Sequence, residues 1–237
     1  MKDIKVLLTE SVNGVVLNEK FNSIPEDRRR EMINGAMKAF AIHGYGKASM
    51  SDIAKEAGVS KALLFHYFDT KKELFLYLWN LTAEKTQESL LLSGVVGDKD
   101  FFSVMEKGLR AKMDLARTWP WMALFSVKAW YEDDEEVSSE ITRSIDKFPT
   151  KDGKTLRLLY PETKFRDDLD LGLMYQDMYY MSEGYLWHQM ERGDIDPDKM
   201  EKEYMAFLEL WKKAYLRGEK DEVCNRDKQS YQKLWKT

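Results

Sequence analysis

The 237-residue sequence predicts an all-α protein, a small three-helix head followed by a larger helical body. Three observations predict it. From Asn80 onward no stretch alternates as a half-buried strand would, apolar residues recur at spacings of three and four, and helix-capping signals punctuate the chain. A 43% apolar content is enough to bury both units. The expected division is an extension over residues 1–22, a head over 23–79 that includes the start of a connecting helix, and a body over 80–237.

In chain order, IKVLLTES and VVLNEKF flank Asn13 and Gly14. They read either as a small hairpin, which is marginal in isolation, or as a disordered or partly docked arm. Next, Ser23 and Glu26 are spaced as a capping box with Pro25 in the first turn. Ile33, Ala36, Met37, Phe40 and Ala41 form one apolar stripe, and the helix is expected to end at Gly44. A short helix follows, with Ser49 as N-cap, Asp52 three positions on, and Met50, Ile53, Ala54 and Ala57 on one face. Gly58 supplies the positive φ of a tight turn with Val59, and Ser60 caps a second short helix running to about Phe68. Leu64 and Phe68 face inward there, which leaves Lys61, Ala62, Leu63, His66 and Tyr67 outward. Thr70 and Glu73 form a capping box that starts the long helix. Lys71 falls in its first turn, where the helix dipole disfavours a cation, so a nearby phosphate or solvent is expected. Two short helices joined at a tight turn form a helix-turn-helix, which presents its second helix to the major groove of DNA.

Residues 25–78 resemble the DNA-binding domain of the tetracycline-repressor (TetR) family of bacterial regulators. The resemblance is carried by Ala39 and Phe40, by HGY at 43–45, by SMSDIAKEAGVSK at 49–61, by HYF at 66–68 and by TKKELF at 70–75. It implies backbone phosphate contacts from Ser49, Ser51, Tyr67 and Lys71, with Ser60 opening the recognition helix, and approach to base edges by Lys61, Ala62, Leu63, Phe65 and His66. The chain departs from the family twice: a small hydroxylated residue is common at the place of Leu63, and a tyrosine at the place of Phe65. A hydrogen bond is lost at each, which shifts readout toward thymine methyls and DNA shape.

The net charge of −4 divides unevenly. Residues 23–79 carry nine Lys and Arg against seven Asp and Glu, whereas residues 80–237 carry 25 against 31. A mildly basic head implies modest non-specific affinity, so selectivity requires two heads acting together. No apolar run approaches the roughly 18 residues of a membrane span, and the amino terminus lacks a signal-peptide pattern, so a cytoplasmic location is expected. The single Cys224 excludes an internal disulfide.

In the body, Thr118 and Pro120 are expected to open a helix through Tyr131, and the acidic run 132–136 and FPTKDGKT at 148–155 to be loops. A helix over Arg166–Arg192 is apolar most of the way round. It is followed by one capped by Asp196 with Pro197 in its first turn, and by a last short helix after Gly218. The helices near 166–192 and 198–217 are expected to pair with their copies in a homodimer, as the family resemblance implies. That would set two heads on half-sites of a palindromic double-stranded operator. The resemblance also implies a small-molecule effector, with repression as the usual outcome. Trp119, Met122, Phe125 and Trp130 facing Tyr175, Met178 and Tyr179 would make an aromatic, methionine-rich lining for a hydrophobic or aromatic molecule.

Signals for catalysis, a cofactor or a metal fail on inspection. His43, His66 and His188 are scattered, and no HExxH or cysteine pair is present. Gly153–Thr155 ends like a phosphate loop but Phe148 replaces its first glycine, and Asp194, Asp196 and Asp198 are interrupted by Pro197. The competing readings are a sequence-tolerant architectural DNA-binding protein, which wants a more basic surface, and an enzyme of unknown chemistry in the body.

Overall fold

A computed structural model describes residues 19–145, 153–192 and 196–218. Among these residues the chain forms eleven helices and a single isolated bridge between Phe165 and Leu216. In order they are α1 (Glu19–Asn22), α2 (Glu26–Lys47), α3 (Met50–Glu56), α4 (Lys61–Tyr67), α5 (Lys71–Leu92), α6 (Phe101–Thr118), α7 (Met122–Trp130), α8 (Ser138–Ile145), α9 (Gly153–Leu159), α10 (Leu171–Arg192) and α11 (Pro197–Tyr215). The all-α expectation agrees with this architecture.

Several local expectations are corrected. The second half of the expected hairpin does not survive at its end, because Glu19–Asn22 is a helical turn that buries Phe21 edge-on against Tyr67 and Tyr77. Residues 1–18 lie outside the described residues. Ser23 does not cap α2: its hydroxyl donates to the Lys20 carbonyl at 2.7 Å, and Pro25 occupies the N-cap position. Fixed φ and a missing N–H suit proline at a helix start, so the capping box is dispensable.

At Gly44 the helix does break, with φ at 73°, but one further turn of helix carries it to Lys47. Thr118 is the last residue of α6 instead of the first of the next helix; Trp119, Pro120 and Trp121 make the corner before α7. The Thr-x-Pro pattern marks a boundary whose direction is ambiguous in the sequence, because proline follows a helix end as readily as it opens one. α10 starts at Leu171, five residues later than expected, because residues 164–166 are diverted to pair with the end of α11 through Arg166 N–H to Tyr215 O and Arg217 N–H to Lys164 O. Gly153 opens α9 instead of lying in a loop. The rest of that expected loop before Gly153, and the expected helix after Gly218, fall outside the described residues.

Two apolar cores result. The first joins Phe40, Tyr45, Phe68, Phe75 and Leu78 of the head to Met122, Phe125, Ala129, Val137 and Ile141 of the body. The second is confined to the body and gathers Phe101, Phe102, Tyr160, Phe165, Met174, Met178, Leu208 and Trp211. α7 is therefore the element on which the head rests.

Candidate nucleic-acid interface

The α3–turn–α4 unit is built from short-range hydrogen bonds that its sequence specifies. Ser49 Oγ accepts from Asp52 N–H at 3.1 Å and donates to Asp52 Oδ2 at 2.5 Å. That second bond holds the Asp52 carboxyl below its ordinary pKa, and it engages the Ser49 proton that a phosphate contact would use. Gly58 takes φ of +65°, its N–H donates to Lys55 O at 3.1 Å, and Val59 N–H donates to Ala54 O at 2.9 Å. Ser60 Oγ then accepts from Leu63 N–H at 3.1 Å and starts α4.

Arg28 reaches across from α2, donating through Nη2 to the Gly58 carbonyl at 2.7 Å and through Nη1 to Glu31 at 2.9 Å. Gly35 of α2 lies so close to α3 that an added Cβ would meet Glu56 O at 2.2 Å. The crossing of α2 over α3 thus requires glycine at that point.

On α4 the division between inside and outside is sharp. Leu64 is 2% exposed and Phe68 after it is buried, while Lys61, Ala62, Leu63, Phe65 and His66 are exposed. At 100° per residue Ala62 and His66 centre the outward stripe, Leu63 flanks one side, and Lys61 and Phe65 the other. Lys61 Nζ stands 5.8 Å from the centre of the Phe65 ring. Ser49, Ser51 and Ser60 are exposed as well. Tyr67, expected to point outward, is half-buried with its ring edge-on to Phe21 at 5.4 Å, because α1 covers that side of α4.

Lys71 is also placed differently from the expectation of solvent or phosphate. Its Nζ donates to the Tyr45 carbonyl at 2.8 Å and lies 4.2 Å from the centre of the Tyr45 ring. Tyr45 is itself a hub: its N–H donates to Glu132 at 2.8 Å, and its hydroxyl donates to Glu136. Burial first, and then the Glu136 hydrogen bond, push the phenol well above its ordinary pKa. Beside it Lys72 pairs with Glu140 at 2.8 Å, a contact that holds the Glu140 carboxyl down to about 2. The acidic run after α7 therefore grips the end of α2 at Tyr45, and Glu140 of α8 holds the start of α5 through Lys72. Nothing in its local pattern reveals that role, since the partners lie about 90 residues away.

The seven residues expected to line one ligand cavity are not brought together. Met122 and Phe125 are buried in the head–body core, with Trp119 and Trp130 packed against its margin, whereas Met178 is buried and Tyr175 half-buried in the second core. Tyr179 is half-buried beside Tyr131, whose hydroxyl donates to Glu183 at 2.6 Å. Two cavities of about 340 Å³ lie elsewhere, one lined by Asp100, Phe102, Ser103, Glu106, Lys107 and Lys212, the other by residues of α5 and α6 including Leu92 and Arg110. Asp196, one of the three closely spaced aspartates at 194, 196 and 198, is occupied in capping α11 through Asp198 N–H and Lys199 N–H. No described helix is long and apolar enough to cross a membrane.

A capped helix with an exposed stripe, held at a tight turn against a helix of equal length and backed by a third, defines the helix-turn-helix class. Residues 32–78 match the model of the bacterial regulatory proteins of the tetR family. The chain is 30% identical over 134 residues, 52% of its length and 69% of the relative's, to the HTH-type transcriptional repressor AcnR of Corynebacterium glutamicum. It is 28% identical over 149 residues, 62% of its length and 78% of the relative's, to an HTH-type transcriptional repressor of Mycobacterium tuberculosis. Its fold is similar to that of a TetR family regulator from Chloroflexus aurantiacus, with a TM-score of 0.58 at 21% identity over 84% of this chain and 98% of that one. The chain belongs to the TetR family, and is a DNA-binding transcriptional regulator.

Proposed function

We propose that the chain is a repressor that binds a palindromic operator as a homodimer, inserts α4 of each protomer into successive major grooves, and is released by a small hydrophobic or aromatic effector. The single observation that carries the DNA half is α4 itself, anchored by Leu64 with Lys61, Ala62, Leu63, Phe65 and His66 outward. That the two relatives are transcriptional repressors supports repression as the outcome here. In this reading the head is residues 23–79 and the body 80–237. Within the head Ser51, Ser60, Tyr67 and Lys71 meet phosphates, and Ser49 joins them only on giving up its bond to Asp52.

Two exposed stripes support the homodimer. Leu173, Tyr180 and Gly184 follow one line along α10, and Ala206, Leu210 and Ala214 another along α11. Leu173, Tyr180 and Leu210 are each more than 60% exposed, an apolar exposure that association would remove. An effector site among Trp119, Met122, Phe125, Trp130, Tyr175, Met178 and Tyr179 would require α7 and α10 to separate. That separation would disturb the Glu132 and Glu136 grip on Tyr45 and so the head.

Selecting duplexes from a random pool with the full chain, then titrating the winner against random DNA at several salt concentrations, tests this. A preferred two-fold symmetric site, tighter than random DNA by at least about 10³, is expected. Equal binding to all duplexes with a steep salt dependence would turn the reading to an architectural role.

A further inference from the structure

The exposed face of α4 is poor in groups able to hydrogen-bond a base. Of its five outward residues, Ala62, Leu63 and Phe65 are apolar, and Leu63 and Phe65 remain 37% and 40% exposed although a buried core lies one helical face away. Neither side chain can donate or accept, so against the polar edges of adenine, guanine and cytosine each would strip water from a partner and return nothing. The major groove offers one apolar feature, the 5-methyl group of thymine. The Lys61 ammonium, 5.8 Å from the Phe65 ring, sits on the same flank and steadies the ring in place.

We infer that Leu63 and Phe65 are specificity-determining residues that select thymine by its 5-methyl group, each on its own flank of α4 and therefore at different base pairs. This rests on the groove-binding role of α4. A cytosine methylated at carbon 5 presents the same methyl at the same place, so the recognition is of a methyl and not of a hydrogen-bond pattern.

The test changes the DNA and leaves the protein intact. Each thymine of the selected operator is replaced by deoxyuridine, which keeps the base pair and removes one methyl. Affinity of the full chain is expected to fall about threefold to tenfold at two or more positions per half-site. In Leu63→Ala the penalty at one of those positions disappears, and in Phe65→Ala the penalty at another disappears, while the remaining positions stay sensitive. If no duplex is selected at all, the groove-binding role itself fails. If an operator is selected but tolerates deoxyuridine throughout, methyl readout is overturned while DNA binding stands. If the penalties persist unchanged in both variants, other residues read the methyls and the assignment to Leu63 and Phe65 is overturned.

Discussion

At the scale of single residues, Lys71 is the clearest case of a side chain with two claims upon it. Its ammonium donates to the carbonyl of Tyr45 at 2.8 Å and lies against that ring, yet it also opens α5 beside the proposed DNA surface. Lys71→Ala is expected to lower stability by about 1 to 2 kcal/mol in chemical denaturation, from the lost charge-assisted hydrogen bond and ring contact. If the residue also meets a phosphate, the logarithmic salt dependence of operator binding flattens by about one unit, equally for all duplexes. A stability loss with an unchanged salt slope would make Lys71 wholly structural. Arg28 gives a second prediction at this scale, because it ties the turn before α4 to α2 through the Gly58 carbonyl. Arg28→Ala is expected to cost only about 0.5 to 1 kcal/mol at this exposed position, but to weaken operator binding more than random-duplex binding, since what it loosens is the orientation of α4. Arg28→Lys should not restore it, as one ammonium lacks the planar fork that serves Gly58 and Glu31 together.

At the scale of elements, the head depends on α2 crossing α3 at Gly35, where backbone meets backbone. Gly35→Ala would put a methyl 2.2 Å from Glu56 O, and neither helix has a flexible side chain there to yield. The expected cost is about 2 to 3 kcal/mol, seen as an early loss of head structure in urea and a matching loss of operator binding. Full stability in that variant would show that α2 and α3 can slide apart. Such element contacts mark the limit of what the sequence reveals. The capped starts at Ser49, Ser60, Thr70 and Asp196 were legible because a cap is a relation among residues three apart, and each is present as a hydrogen bond. Gly58 was legible for the same local reason. The start of α10 and the direction of the boundary at Thr118 are not legible locally because distant partners decide them: the strand-like pairing of Phe165 with Leu216 in one case, the packing of α7 on the head in the other. The grip of Glu132 and Glu136 on Tyr45 was invisible, since an acidic run looks like a solvated loop until its partner is in place.

At the scale of the whole molecule, the head's surplus of two positive charges is too small to hold DNA strongly alone, so the proposed repressor depends on pairing of two chains. The stripes on α10 and α11 make that pairing testable with residues that no fold contact uses. Leu210 is 62% exposed, and Gly184 has nothing within 4 Å of the position its Cβ would take. In an isolated chain Leu210→Arg should therefore change stability by no more than about 0.5 kcal/mol, and Gly184→Ala should raise it by about 0.5 to 1 kcal/mol through helix propensity. In a dimer closed over these stripes the signs change. An arginine at 210 buries an unpaired charge, and a methyl at 184 props apart helices that glycine lets approach. Light scattering at micromolar concentration is expected to find the parent dimeric and Leu210→Arg monomeric with the same circular dichroism spectrum. Operator affinity of that variant should fall by about 100-fold or more while its affinity for random duplex stays within a few-fold, because each head is intact and only the linkage between half-sites is lost. A monomeric parent, or a variant that remains dimeric and keeps operator affinity, would move the interface away from α10 and α11.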